Sequence, residues 1–360
     1  MESFKWKVAI KPNICVLKVA GLWPKKNETY KCDLYTVYSF IILNLFLHIP
    51  NIFQMANVYF VYKDLEAVAA IIFVIITEIL ASVKTCYFVS NMAQLKNIMA
   101  SLEDKILWPK NSQQRKLIEP GVNFWKFTYR GFYFPVIFNL LMWAVYPIMD
   151  GSAHESKLPF SAWYPFSTKN SPSYEITYFY QIIGISVLAI TNLNMDTFVA
   201  ALMMYVGSQC EILCDSLKNC GRSGTKNYNT NLIECVNHHR KIISFAENCN
   251  KFFDKIVLGQ FFTSAMVLGF SMFQLTLVAP LSSESFSLLF YSSAMTMEIF
   301  LYCWFGNEVE IKIIICLIKI GADDRQTEME NLLFHTLGVM ERREDIKIAI
   351  RVMDPVTIIT

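Results

Sequence analysis

Apolar residues along this chain gather in six long runs, separated by charged or proline-rich segments. The runs cover roughly residues 34–60, 65–89, 131–149, 176–206, 256–279 and 286–305. Each reaches about 20 residues, the length a helix needs to cross a hydrocarbon core of roughly 30 Å. The second run, AVAAIIFVIITEILASV over 67–83, is continuously apolar and does not alternate. Continuous runs predict spanning helices, whereas a membrane barrel would show period-two alternation. The predicted fold is therefore all-α, a polytopic membrane helix bundle with six clear spans. A single transmembrane domain is expected over 1–360, with a tail at 1–33, the spans within 34–305, and a further segment at 306–360.

Other features of the pattern extend this picture. No proline occurs between 178 and 217, a stretch of 40 residues. A helix that long would measure roughly 60 Å, about twice the hydrocarbon core, so the fourth helix is expected to project beyond the bilayer. Gly221-Arg222-Ser223-Gly224 then reads as a turn. Beyond it, Ile242, Phe245, Cys249 and Phe252 recur at helical spacing and predict a buried stripe. The segment 150–175 carries Pro159, Pro165 and Pro172, which stop a simple helix. Its Trp163 and Tyr164 suit the headgroup level. An interfacial cap is the plainer reading of this loop, and a lid over a pocket is the other.

Composition agrees with lipid as the solvent. Hydrophobic residues make up 54% and charged residues 17% of the chain, with 28 Phe and 17 Tyr. The net charge of +2 is uninformative, but its distribution is not. Lys and Arg number seven in the N-terminal tail, seven in 90–130 and seven in 207–255, against Lys63, Lys157 and Lys169 in the alternate segments. That bias of 21 to 3 predicts a cytoplasmic N-terminus. No signal peptide is read at the start, because the first 31 residues carry seven Lys and no long apolar run. The sequon Asn27-Glu28-Thr29 is then expected to carry no glycan. A rhodopsin-type receptor has the opposite orientation, and its Asp-Arg-Tyr motif is not found here.

Candidate chemistry is sparse. There is no Gly-rich phosphate loop, HExxH or GxSxG, so an enzyme is not expected, nor is any cofactor or metal. The ten Cys show no metal spacing and read as free thiols. His238 and His239 lie in a basic segment and read as a solvated face. Four ionisable residues fall within spans, Glu78, Lys84, Asp196 and Glu298. Pairing across helices is favoured for them over ion conduction. Rings and Met cluster in one half of the spans. Phe73, Thr77, Met142, Trp143, Tyr146, Tyr180, Gly184 and Tyr291 are the candidate ligand-binding residues. Such a lining binds small apolar molecules by burial and dispersion.

Three stretches carry a family resemblance. LPFSAWYPF at 158–166 with SPSYEITYFYQ at 171–181 resembles the second outward loop and fourth span of insect odorant receptors. FAENCNKFFDKIVLGQFFTSAMVLGFSMFQL at 245–275 resembles the helix entering their fifth span, and YCWFGNEV at 302–309 resembles the inner end of their sixth. The resemblance implies a seven-span fold and a tetrameric cation channel built with an odorant co-receptor. It further implies a volatile odorant as ligand, and the plasma membrane of olfactory sensory neuron dendrites as location. Its pocket would lie in the outer half, among the second, third, fourth and sixth spans. The segment 341–360 faintly resembles the approach to the family's pore helix, but Lys347, Arg351, Asp354 and Pro355 make it unfit to span. A partial or atypical seventh helix is the expectation. An insect gustatory receptor, a G-protein-coupled receptor and a small-solute transporter are the alternatives.

Overall fold

A computed structural model describes residues 7–25, 30–149, 151, 155–220, 228–280 and 282–321. Among these residues the helices run α1 Lys7–Val19, α2 Leu34–Leu43, α3 Ile49–Val61, α4 Leu65–Ser90 and α5 Met92–Ser101. They continue as α6 Ser112–Met149, α7 Ser173–Cys220, α8 Tyr228–Leu277 and α9 Ser283–Gly321. Among the described residues, six helical segments are long and apolar enough to cross a membrane, with α2 and α3 joined as the first. All six coincide with the predicted runs. The predicted turn at 221–224, the Asn27 sequon and the segment 341–360 lie outside the described residues.

The first span bends through a π-helical turn at Asn44–His48. Pro50 explains it: proline has no N–H to return to the preceding turn, and one wider turn absorbs the defect. Inside a membrane the freed carbonyls need partners. The Tyr180 hydroxyl of α7 donates to the Leu45 carbonyl at 2.6 Å. At the start of the same span, Asp33 caps α2 by accepting from the Thr36 amide at 2.8 Å.

Four helices overshoot the bilayer, α9 with 39 residues among them. α7 has 48 residues and α8 has 50, so each is roughly 70 Å or more long. α6, read from sequence as starting at 131, begins at Ser112 and carries Pro120, Pro135 and Pro147 within it. The overshooting ends form a second bundle on the side of α1, called here the tail side. Its apolar core joins Leu17, Trp23, Leu95, Ile118, Trp125, Ile212, Phe245 and Phe252. The stripe Ile242, Phe245, Cys249 and Phe252 is buried as its spacing predicts. His238 departs from expectation. It is buried and lies 2.9 Å from the side-chain oxygen of Gln209, because α8 turns that position toward α7.

α7 forms the axis of the molecule. Every residue from 191 to 202 is buried, although the stretch includes Asn192, Asn194, Asp196 and Thr197. Polar side chains glue helices together where lipid removes the hydrophobic drive for helix association. Asn13 of α1 donates to the Asn194 carbonyl at 3.2 Å and to Thr197 at 2.7 Å. Asn194 donates to the Tyr133 hydroxyl at 2.8 Å and accepts from Tyr129 at 3.1 Å. On the opposite face, Asn192 and Asp196 meet α4 and α9.

Candidate functional site

A cavity of about 80 Å³ opens among α4, α6, α7 and α9, between the middle of the bundle and the side of the 155–172 loop. That space is several times what a single water needs. Its walls are mostly apolar: Val74, Val136, Leu140, Trp143, Ile185, Leu188 and Met295. Two rings define its shape. Trp143 from α6 and Tyr291 from α9 lie 5.6 Å apart between centroids, and Phe73 backs Tyr291 at 5.3 Å. The Tyr291 hydroxyl meets Thr77 at 2.6 Å, which ties α9 to α4 across the cavity wall. A pocket of rings and aliphatic chains with few polar groups holds small apolar molecules by burial.

The tail-side floor of the cavity is charged. Lys84 of α4 forms an ion pair with Asp196 at 2.7 Å and donates to Asn192 at 3.0 Å. Glu298 of α9 sits 3.8 Å from the same ammonium and accepts from Asn192 at 3.1 Å. Tyr302 donates to Asp196 at 2.6 Å. Glu78 stands apart and accepts from Gln54 at 2.8 Å. Three of the four intramembrane ionisable residues thus pair across helices, the arrangement favoured from sequence. A buried charge in lipid is costly unless paired, which is what this network provides.

The loop after α6 folds back onto the bundle. Phe160 packs edge-on against Trp143 with centroids 4.9 Å apart. Its backbone is clamped by Gln181 of α7, which donates to the Phe160 carbonyl at 2.9 Å and accepts from its amide at 3.1 Å. Gln181 also donates to the Tyr164 hydroxyl at 3.1 Å. The Trp163 amide donates to the Phe53 carbonyl at 3.1 Å, fixing the loop to the first span. A second, smaller cavity of about 20 Å³ lies under this loop and shares Glu78, Ile185 and Leu188 with the first.

The residues singled out from sequence divide accordingly. Thr77, Trp143 and Tyr291 line the main cavity. Phe73 stands behind it, and Gly184 lines the smaller one. Tyr180 is engaged with the first span, and half-buried Met142 lines neither cavity. The side chain of Tyr146 falls outside the described residues. The sequence reading missed Asn139, Leu188 and Met295, which carry no local pattern to distinguish them from other lipid or core positions.

Residues 64–312 match the family model of the 7tm odorant receptors. The chain belongs to the odorant receptor family. The receptor is 26% identical over 324 residues to Odorant receptor Or1 of Anopheles gambiae, covering 81% of this chain and 76% of the relative. It is 24% identical over 305 residues to Odorant receptor 46a, isoform A, of Drosophila melanogaster, covering 81% and 77%. Its fold is similar to that of the insect olfactory receptor OR5 from Machilis hrabei, with a TM-score of 0.78 at 19% identity over 92% of this chain and 89% of the other. The same receptor solved in complex with eugenol gives 0.77 at 18% identity. The receptor is a multi-pass membrane protein and not an enzyme, as its family membership and its six apolar helical segments together establish.

Proposed function

We propose that this receptor is the odour-binding subunit of a ligand-gated, non-selective cation channel, and that its ligand occupies the cavity among α4, α6, α7 and α9. The observation that carries the reading is the ring-walled enclosure formed by Trp143 and Tyr291. Phe73, Thr77, Met142, Tyr146, Tyr180 and Gly184 are proposed to act with them, by direct contact or by holding the walls. Eugenol, the ligand of the similar Machilis hrabei receptor complex, is a small aromatic volatile and supports this ligand class. At about 80 Å³ the space is tighter than pockets that hold drug-sized ligands, which favours a compact molecule.

The lid reading of the 155–172 loop gains support from the contact of Phe160 with Trp143. The channel is proposed to be a hetero-tetramer with the odorant co-receptor, in the plasma membrane of olfactory sensory neuron dendrites, with the tail side cytoplasmic. The test is odour-evoked current from the receptor co-expressed with the co-receptor. Trp143→Ala and Tyr291→Ala each remove an aromatic contact valued at about 1–3 kcal/mol, so half-maximal concentrations rise by roughly fivefold to a hundredfold at unchanged surface expression. Concentration–response curves identical to wild type in both variants would rule the cavity out.

A further inference from the structure

The polar atoms of the main cavity have a one-sided character. Four residues that line it carry a buried side-chain atom with no hydrogen-bond partner: Glu78 Oε2, Asn139 Oδ1, Asp196 Oδ2 and Glu298 Oε2. All four atoms are oxygens, and those of Asp196 and Glu298 belong to carboxyl groups that face each other. Each residue is at most 5% exposed. Buried polar atoms in folded proteins are nearly always satisfied, and each one left without a partner destabilises the state that contains it. Their positions follow from the sequence. Asp196 and Glu298 each give one oxygen to the network around Lys84, and their carboxyl groups lie within hydrogen-bonding reach of each other. Glu78 gives one oxygen to Gln54 and keeps the other free. The floor also holds two carboxyl groups around one ammonium, so the local charge favours a proton donor or a cation over another acceptor. At the opposite end, the hydroxyls of Thr77 and Tyr291 are engaged with each other, and Thr77 is engaged with the Phe73 carbonyl as well.

We propose that the cavity selects ligands with an N–H or O–H donor headgroup, an alcohol, phenol or protonated amine, on a compact apolar body. The inference rests on the cavity being the odorant site. The apolar body lies between Trp143 and Tyr291, and the donor points to the floor, toward Glu298, Asp196 and Asn139. Ethers, esters and other acceptor-only volatiles of the same shape leave those oxygens unmet and meet them with lone pairs of their own. A site built to pair with a donor rejects the analogue that lacks it far more strongly than a greasy pocket rejects a missing methylene.

The test uses the purified full chain and matched probes. 2-Phenylethanol, 2-phenylethylamine and the methyl ether of 2-phenylethanol share one body, and hexanol, hexylamine and the methyl ether of hexanol form a second set. Affinity is read from ligand-induced thermal stabilisation and from quenching of tryptophan fluorescence. In at least one set the alcohol or the amine binds about tenfold or more tightly than the ether. The head that wins identifies the partner: a leading amine indicates the carboxylates, and a leading alcohol indicates Asn139. Glu298→Gln, similar in size and bearing its own donor, lowers the ratio of donor-headed to ether affinity severalfold. Asn139→Leu does the same without touching the Lys84 network, and covers the case in which Glu298→Gln fails to fold. Ethers that match or surpass their donor partners in both sets, or two sets in which no donor-headed probe binds, overturn the inference. Trp143→Ala separates it from the reading beneath: loss of affinity for all heads alike keeps the cavity and leaves only the headgroup in question, whereas no change for any probe removes the cavity itself.

Discussion

Lys84 shows how single residues govern this receptor. It is a fully buried ammonium in a spanning helix, 2.7 Å from Asp196. Removing one member of a buried pair strands the other and costs about 3–5 kcal/mol, whereas replacing both is often close to neutral. Lys84→Met is therefore expected to reduce surface receptor sharply, and Lys84→Met with Asp196→Leu to recover part of it. Cell-surface labelling reads both, and a double variant no better expressed than the single one would show that the pair is not the reason. Tyr291 makes the complementary point about the cavity. Tyr291→Phe keeps the ring and loses only the contact with Thr77, an effect of about 1 kcal/mol, so its response is expected to shift much less than that of Tyr291→Ala. The need for Lys84 to be paired was legible in the sequence, because a charge inside an apolar run demands a partner. Its dependence on Asn192, Asp196 and Glu298 together was not, since three helices must be placed before those side chains meet. His238 illustrates the limit from the other side: its neighbours are basic and polar, but the helix face it occupies is decided by where Gln209 lies on α7.

At the level of elements, the long runs and their spacing carried most of the information. The six spans and the overshoot of α7 were readable because apolar length and proline placement act locally. α1 was read as plain tail, because its 13 residues include Pro12 and spaced lysines that obscure the apolar face carrying Leu17. That helix is held by tertiary contacts, among them Asn13 against α7. The π turn near Pro50 was likewise illegible, since the defect is absorbed only when Tyr180 supplies a donor. The loop after α6 depends on one residue of another element. Gln181 makes two bonds to the Phe160 backbone and one to Tyr164. Each is worth about 1 kcal/mol net, so Gln181→Ala frees the loop while the spans remain folded. Under the lid reading, odorant washout accelerates severalfold in that variant with little change in surface expression. Washout at the wild-type rate would leave the loop a passive cap.

For the whole molecule, orientation and ligand placement must agree. The proposed orientation, read from the 21 to 3 charge bias, has the tail-side bundle in the cytoplasm and the 155–172 loop outside, with the cavity toward the outer side. A tag after Met1 is expected to be protected in intact cells, and one inserted near Ser167 to be accessible; the reverse pattern would invert the whole arrangement. The cavity sits where α4, α6, α7 and α9 converge, and the same α7 continues into the tail-side bundle. The cavity wall at Leu188 and the packing at Ile212 therefore belong to one unbroken helix, which joins the cavity to the tail-side core. The claim on which the account depends is that this cavity is where the odorant binds. A cryo-electron microscopy map of the receptor with an activating odorant tests it most directly. Ligand density is expected between Trp143 and Tyr291, reaching toward Glu298. Density at any other site, such as the tail-side cavity beside Lys110 and His238, with the space between those two rings unfilled, would contradict it.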